Sequence, residues 1–294
     1  MRTLCGILLP LLSSIGLSFG QVLINHRLLS GNGSDQPTVI ATDGSGFVYV
    51  AGNTTSGNFP VTNALEAQPP QGALEVSING GGFVNSGLAA TSVYAVSASS
   101  DGRLVIASTP NGIVRSTDQG VTWTAAADVL PLASALAVDP VNSSNAYALL
   151  LQSGALYKSS NGGVNWQKTG ASFPPSGAVS RIAINPQTPT TMYLWAAYVI
   201  YRSTDGAQSW QPLSIPNSNN SVSAFALAPS QPNVLYASAS SIFGPVFQSI
   251  DGGNTWTQGA NNAFAYGPTS MAVDPTNPAT GLAGEWRSGH SKKY

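Results

Sequence analysis

The sequence predicts an all-β protein, a β-propeller of four-stranded antiparallel blades with about five full blades, a partial sixth and an incomplete ring. Three observations carry this. An eight-residue pattern, Ser-x-Asp-x-Gly-x-Thr-Trp, stands at Ser249–Trp256 (SIDGGNTW) and Ser116–Trp123 (STDQGVTW), and in looser form at Ser159–Trp166 (SSNGGVNW) and Ser203–Trp210 (STDGAQSW). Its tryptophans, Trp123, Trp166, Trp210 and Trp256, are spaced by 43, 44 and 46 residues, the period of a propeller or solenoid array. Between the boxes a second pattern repeats, and no helical periodicity interrupts it.

The first segment, residues 1–20, reads as a secretory signal: Arg2 precedes the apolar run Leu4–Ile15, and Ser18-Phe19-Gly20 places small residues at the cleavage positions. The apolar run is too short to span a bilayer comfortably, so no integral membrane segment is expected after cleavage. Cys5, the single cysteine, lies in this segment, which leaves a mature chain from Gln21 with neither disulfides nor a thiol nucleophile. Residues 21–35 form a lead segment.

The propeller is expected over residues 36–287. Val39-Ile40-Ala41 and Phe47-Val48-Tyr49-Val50 read as two strands joined by the turn Asp43-Gly44-Ser45-Gly46. A weak copy of the box, SINGGGFV, follows at Ser77–Val84. Each later repeat opens on an apolar strand ended by an Asp-Pro or Asn-Pro turn. Examples are Ala135–Pro140, Ile182–Pro186 and Met271–Pro275, with Phe225–Pro229 carrying Ala in place of the acid or amide. Proline ends a ladder because it lacks the amide donor. A second strand follows (Ala146–Leu149, Met192–Trp195, Val234–Ala237), then a third (Gly112–Arg115, Ala155–Lys158, Val199–Arg202). The box turn comes next, and a fourth strand is expected to start at the Trp. That makes one blade. From Val273 the next box would begin near the chain's last residue, and residues 288–294 form a polar tail without strand pattern. The expected end is therefore a two-stranded partial blade.

The composition agrees with an exported β protein. Charged residues make up only 8 % of the chain and hydrophobic ones 43 %, which argues against disorder despite abundant Gly and Pro. A formal charge of -1 removes the electrostatic case for nucleic acid or anionic membranes.

Physically, the box is a hairpin turn. Asp-Gly and Asn-Gly tolerate the positive φ a tight turn needs, the Asp can accept backbone N–H bonds, and the Trp offers a face to pack between sheets. The structural residues are Ser116, Asp118, Gly120, Trp123; Ser159, Asn161, Gly163, Trp166; Ser203, Asp205, Trp210; and Ser249, Asp251, Gly253, Trp256. The motif resembles the Asp-box (BNR) repeat of sialidases, xyloglucan-degrading glycosidases, sortilin- (VPS10-) type receptors and photosystem II assembly factors of the Ycf48 type. Val39–Thr62 resembles an SBBP-type propeller repeat. Both resemblances imply a fold rather than an activity. A calcium loop is disfavoured because each box carries at most one carboxylate.

No catalytic constellation is read from the chain. The sialidase resemblance implies an arginine triad, a Tyr–Glu pair and an Arg-Ile-Pro motif. Arg181-Ile182-Ala183 comes nearest to that motif, but it occupies an ordinary first-strand slot. Arg115 and Arg202 share a slot with Lys158 and Gln248, which reads as a solvated strand end. The mature chain offers only Glu66, Glu75 and Glu285 as glutamates. A glycosidase needs two carboxylates, one with a raised pKa. Most aspartates are committed to turns, and Asp35, Asp128 and the glutamates read as solvated loop acids. His26 and His290 lie far apart in sequence, so no metal site or cofactor is expected. Tyr198, Phe243, Phe264 and Tyr266 fall in or near inter-strand loops and are the candidates for ligand contact, with blade-to-blade packing the competing reading. The expectation is a secreted, non-catalytic recognition or scaffold module for a glycan, peptide or protein. The alternative is an Asp-box glycoside hydrolase, sialidase- or xyloglucanase-like, or a fragment of one.

Overall fold

In the computed structural model the described residues are 92–174, 181–216, 222–239, 245–259, 270–274 and 276–284, together with the isolated residues 88 and 268. To these add the strand segments 22–24, 27–29, 35–42, 47–54, 73–78, 83–85 and 291–293. Glu66, Glu285, His26, His290, Phe243, Phe264, Tyr266 and the signal segment lie outside them, as does the Asp43–Gly46 turn.

A hairpin of β1 (Val22–Ile24) and β2 (Arg27–Leu29) comes first, each pairing with the other. Blade 1 contains β3 (Asp35–Thr42), β4 (Phe47–Thr54), β5 (Ala73–Ile78) and β6 (Phe83–Asn85). Its outer hairpin pairs Ser77 with Phe83, where the weak box copy was read. Blade 2 contains β7 (Ala95–Ala98), β8 (Val105–Thr109), β9 (Gly112–Ser116) and β10 (Thr124–Ala125). Blade 3 contains β11 (Ala133–Val138), β12 (Ala146–Leu150), β13 (Ala155–Ser159) and β14 (Gln167–Ser172). Blade 4 contains β15 (Arg181–Ile184), β16 (Met192–Ala196), β17 (Val199–Ser203) and β18 (Gln211–Pro212). Blade 5 contains β19 (Val222–Leu227), β20 (Leu235–Ala239), β21 (Val246–Ser249) and β22 (Thr257–Gln258). The last sheet contains β23 (Ser270–Val273), β24 (Gly281–Gly284) and β25 (Ser291–Lys293). Every pairing is antiparallel and every blade meanders in sequence order.

Successive sheets meet mainly through their first strands: β3 against β7, β7 against β11, β11 against β15, and β19 against β23. The second strands β8, β12, β16 and β20 are buried along their whole length, as befits strands covered on both faces. The core is a series of seams. One joins Ile106 and Ile113 of blade 2 to Leu136 and Ala148 of blade 3. The next two join Leu156 to Leu194, and Tyr193 to Phe225. Blade 5 meets the last sheet through Tyr236 and Met271.

Two expectations change. The fourth strands begin one residue after each Trp. The C-terminal tail is also not without structure, because the backbone of Ser291–Lys293 pairs with Leu282–Gly284. The last sheet thus has three strands instead of two. An edge strand gains its ladder from backbone groups, and a Lys-bearing segment suits a solvent edge without any apolar alternation. β1 and β2 pair with each other and not with β23 or β24, and the ring is not closed.

Candidate functional site

Each box is a closed hydrogen-bond ring. The Ser116 Oγ–H donates to Asp118 Oδ1 (2.7 Å) and accepts from Gly120 N (2.8 Å). Asp118 then accepts from Thr122 N (2.8 Å) and the Thr122 hydroxyl (2.6 Å). The bonds recur at Ser249, Asp251, Gly253 and Thr255. In the third box Ser203 and Asp205 hold Ala207 N and both polar groups of Ser209. The hydroxyl four residues on, the backbone N–H beside it and the box serine hold Asp118, Asp205 and Asp251 down at about 2, in that order of importance.

The same turn at nearly constant spacing predicts core positions with equivalent surroundings for Trp123, Trp166, Trp210 and Trp256, and the structure separates them. Trp166, Trp210 and Trp256 pack into the seam with the preceding blade and Trp123 packs against its own blade and Leu88, but only Trp166 is buried, at 5 % exposure. Trp123, Trp210 and Trp256 are half-buried against their clusters. The box sits at the rim of the blade, where a two-residue fourth strand leaves part of the ring uncovered. Trp123, Trp166 and Trp256 donate their indole N–H to the carbonyl three residues back, at 3.0–3.1 Å. The Trp210 Nε1–H is buried without an acceptor. Its box is the one with a Cβ at the third-turn position, Ala207 (φ 75°), where the others have Gly120, Gly163 and Gly253 at φ 80–91°.

The boxes share one end of the blades with the strand 1–2 turns. Gly162 N donates to Ser144 O, Gly206 N to Thr190 O and Gly252 N to Asn233 O, at 2.8–2.9 Å. Those turns are capped by their own side chains: Asp139 accepts from Val141 N and Asn142 N, Asn185 from Gln187 N and Thr188 N, and Asp274 from Thr276 N and Asn277 N.

The arginines before the boxes are not solvated strand ends. Arg115 Nε donates to Gly162 O of the next blade (2.7 Å), and Arg202 Nη1 to Gly252 O (2.9 Å) and Asn254 Oδ1 (2.9 Å). Lys158, in the same slot, lies over the Tyr147 ring at 5.5 Å. Gln248 bonds the Tyr236 hydroxyl instead. Asp128 also departs from expectation. From the blade 2–3 connection its Oδ2 accepts from Trp166 N (2.7 Å) and Asn165 Nδ2 (3.3 Å) of the second box. That box has Asn161 in place of the usual acid, and its amide pairs with Asn165. The blade 2–3 connection thus brings a carboxylate to a box that lacks its own, a relation that no local pattern reveals.

Arg181, where the nearest match to the sialidase motif begins, starts β15 and reaches Phe225 O of β19 at 3.5 Å. Protein packed around the guanidinium lowers its pKa, an effect that solvent tempers because the residue is exposed at the strand start. It stands apart from Arg115 and Arg202, which are bound to box carbonyls.

Tyr198 lies at the opposite end of the blades from the boxes. It is 49 % exposed and sits with Ala197 in a two-residue hairpin. Both have positive φ (49° and 68°), a geometry that Asn-Gly usually occupies and that costs non-glycine residues strain. Among the described residues, clefts open beside two of the boxes. One of about 300 Å³ is lined by Phe173, Tyr201, Trp210 and the β14 segment Gly170–Ser172; Phe173 meets Tyr201 and Trp210 edge-on, with ring centres 4.9 and 5.5 Å apart. The other, about 450 Å³, is polar and is lined by Asp128, Lys158, Asn161, Asn165, Trp166 and Gln167 among others. Among the described residues no cluster of His, Cys, Asp or Glu could hold a metal, and no helix is long and apolar enough to cross a membrane.

These features define a β-propeller built of four-stranded antiparallel blades. Residues 24–60 match a family model described as a beta-propeller repeat (SBBP). Among solved structures the chain is similar to the GH74 enzyme of Niastella koreensis (20 % identity, TM-score 0.64, covering 84 % of this chain and 43 % of that one). The GH74 xyloglucanase of Xanthomonas campestris is similar too (18 %, 0.61, 84 % and 43 %). So is YCF48 from Cyanidioschyzon merolae (12 %, 0.56, 85 % and 76 %). The chain spans less than half the length of these two GH74 structures. At such identities the likeness is one of fold. A search of curated protein sequences finds no match.

Proposed function

We infer that the chain is an exported, non-catalytic recognition module that binds a glycan, peptide or protein through its loops. One observation carries the reading: the aspartates with full side-chain surroundings are spent on structure. Asp118, Asp205 and Asp251 close box turns, Asp101 accepts from Ser99 and Arg103, Asp139 and Asp274 cap turns, and Asp128 ties two blades. A glycosidase acid needs a pKa raised towards neutrality, whereas the box acids are lowered. The strained turn that presents Tyr198 adds support, since unpaid strain concentrates at sites that contact ligands. The hydrolase alternative draws on the shared fold alone.

The test combines a glycan array and a pull-down from conditioned medium with an assay for release of reducing sugar from xyloglucan, using the chain from Gln21. Saturable capture without turnover is the expected result. Turnover that scales with enzyme concentration would replace this reading with the hydrolase one. Export is checked separately by N-terminal sequencing of secreted protein, which should begin at Gln21.

A further inference from the structure

The geometry points to the cleft beside the second box as a binding site for a neutral saccharide unit. This rests on the recognition-module reading and gives it a place and a ligand class. The cleft's volume, about 450 Å³, falls in the range of small-molecule sites.

The second box differs from its sisters in chemistry. The other three pair a carboxylate with a hydroxyl four residues on, and that pair is consumed in the turn. Here the two positions are Asn161 and Asn165, exposed and bonded to one another. Asn161 Oδ1 is taken by the Ser159 hydroxyl and Asn165 N, as in the sister boxes, but a primary amide offers two donors, so each amide keeps one N–H after the bonds it donates to Asn165 Oδ1 and Asp128 Oδ2. Asp128 is held in place through Oδ2 by Trp166 N and Asn165 Nδ2, and Oδ1 has no hydrogen-bond partner among the described residues. Lys158 stands over Tyr147, and no carboxylate lies within ion-pair distance of it among the described residues; the single ion pair there joins Arg103 and Asp101. The exposed Gln167 side chain completes the wall.

The cleft thus holds one negative and one positive side chain together with three amides and Ser160. An anion would meet Asp128 and a cation would meet Lys158, each at a cost from the like charge. A neutral ligand meets neither penalty. An apolar side chain would strip water from these polar groups and return no hydrogen bonds. Vicinal hydroxyls, each both donor and acceptor, match a fixed carboxylate oxygen beside amides.

The experiment uses the chain from Gln21 and isothermal titration with neutral gluco-, manno- and xylo-oligosaccharides. The double variant Asn161→Asp/Asn165→Thr recreates the carboxylate–hydroxyl pair of the sister boxes, so its fold is expected to persist. It should weaken the saccharide that binds by at least about tenfold, the loss of one or more good hydrogen bonds. Gln167→Ala, at an exposed position, should weaken it by a smaller factor. Absence of binding to every oligosaccharide overturns the site assignment, and capture of a protein by the same preparation then leaves the module reading standing. Saccharide binding that both variants leave unchanged overturns it as well. Turnover of the sugar overturns the module reading itself.

Discussion

Replacing Gly253 by Ala tests how the box turn is built. Gly253 has φ +91°, and a Cβ there would lie 2.6 Å from Leu213 Cδ1 and 3.3 Å from Leu235 Cδ1. The left-handed conformation costs an L-residue about 1–2 kcal/mol. Pushing Leu213 off its rotamer against the fully buried Leu235 adds about 0.5–1.5 kcal/mol. Against this, alanine lowers unfolded-state entropy and returns about 0.4–1 kcal/mol. The net loss is about 2 kcal/mol, or a fall in the thermal midpoint of about 3–4 °C for a protein of this size. Gly206 is the control: φ is +72° but a Cβ there meets nothing within 4 Å. Gly206→Ala keeps the strain and omits the collision, which leaves a loss of about 0.5–1 kcal/mol. Thermal denaturation of the two variants side by side reads the difference. A Gly253→Ala protein as stable as Gly206→Ala refutes the argument, because the steric half of the cost would then be absent.

Acid sensitivity should trace to the boxes. Asp118, Asp205 and Asp251 are lowered to about 2 from an ordinary 3.8, so their contribution is full above about pH 4 and is lost as pH falls through about 2. The triple variant Asp118→Asn/Asp205→Asn/Asp251→Asn should flatten the fall of thermal midpoint over that window, as Asn161 already does for the second box; an unchanged slope would mean the acids titrate without consequence. Trp166→Ala should cost about 3–5 kcal/mol by chemical denaturation and Trp256→Ala, half-buried, about half as much; equal losses would contradict the burial difference. Arg202→Met removes donors to Gly252 O and Asn254 Oδ1 across a blade seam and should cost about 1–2 kcal/mol, with Arg202→Lys recovering part of it. A thermal midpoint unmoved by Arg202→Met would mean that this seam does not depend on the bond.

The repeat was legible because its determinants are local. A Ser-x-Asp turn closes on its own backbone within five residues, and strands that alternate between Pro-ended turns state their own limits. Hence the boxes, the blade order and the meander could be read from residues such as Ser249, Asp251 and Pro186. The tail could not, since Ser291–Lys293 pairs through backbone groups that every residue has. Nor could sequence separate buried Trp166 from half-buried Trp256, because exposure depends on how far the fourth strand and the next blade cover each indole. The roles of Arg115, Arg202 and Asp128 were likewise invisible: each acts on a blade some forty residues away, a distance closed only by the curvature of the array. The sequence by itself determined the unit and its repetition. The tertiary structure decided which side chains cross the seams, because contacts between blades are set by packing geometry and not by the order of residues along the chain.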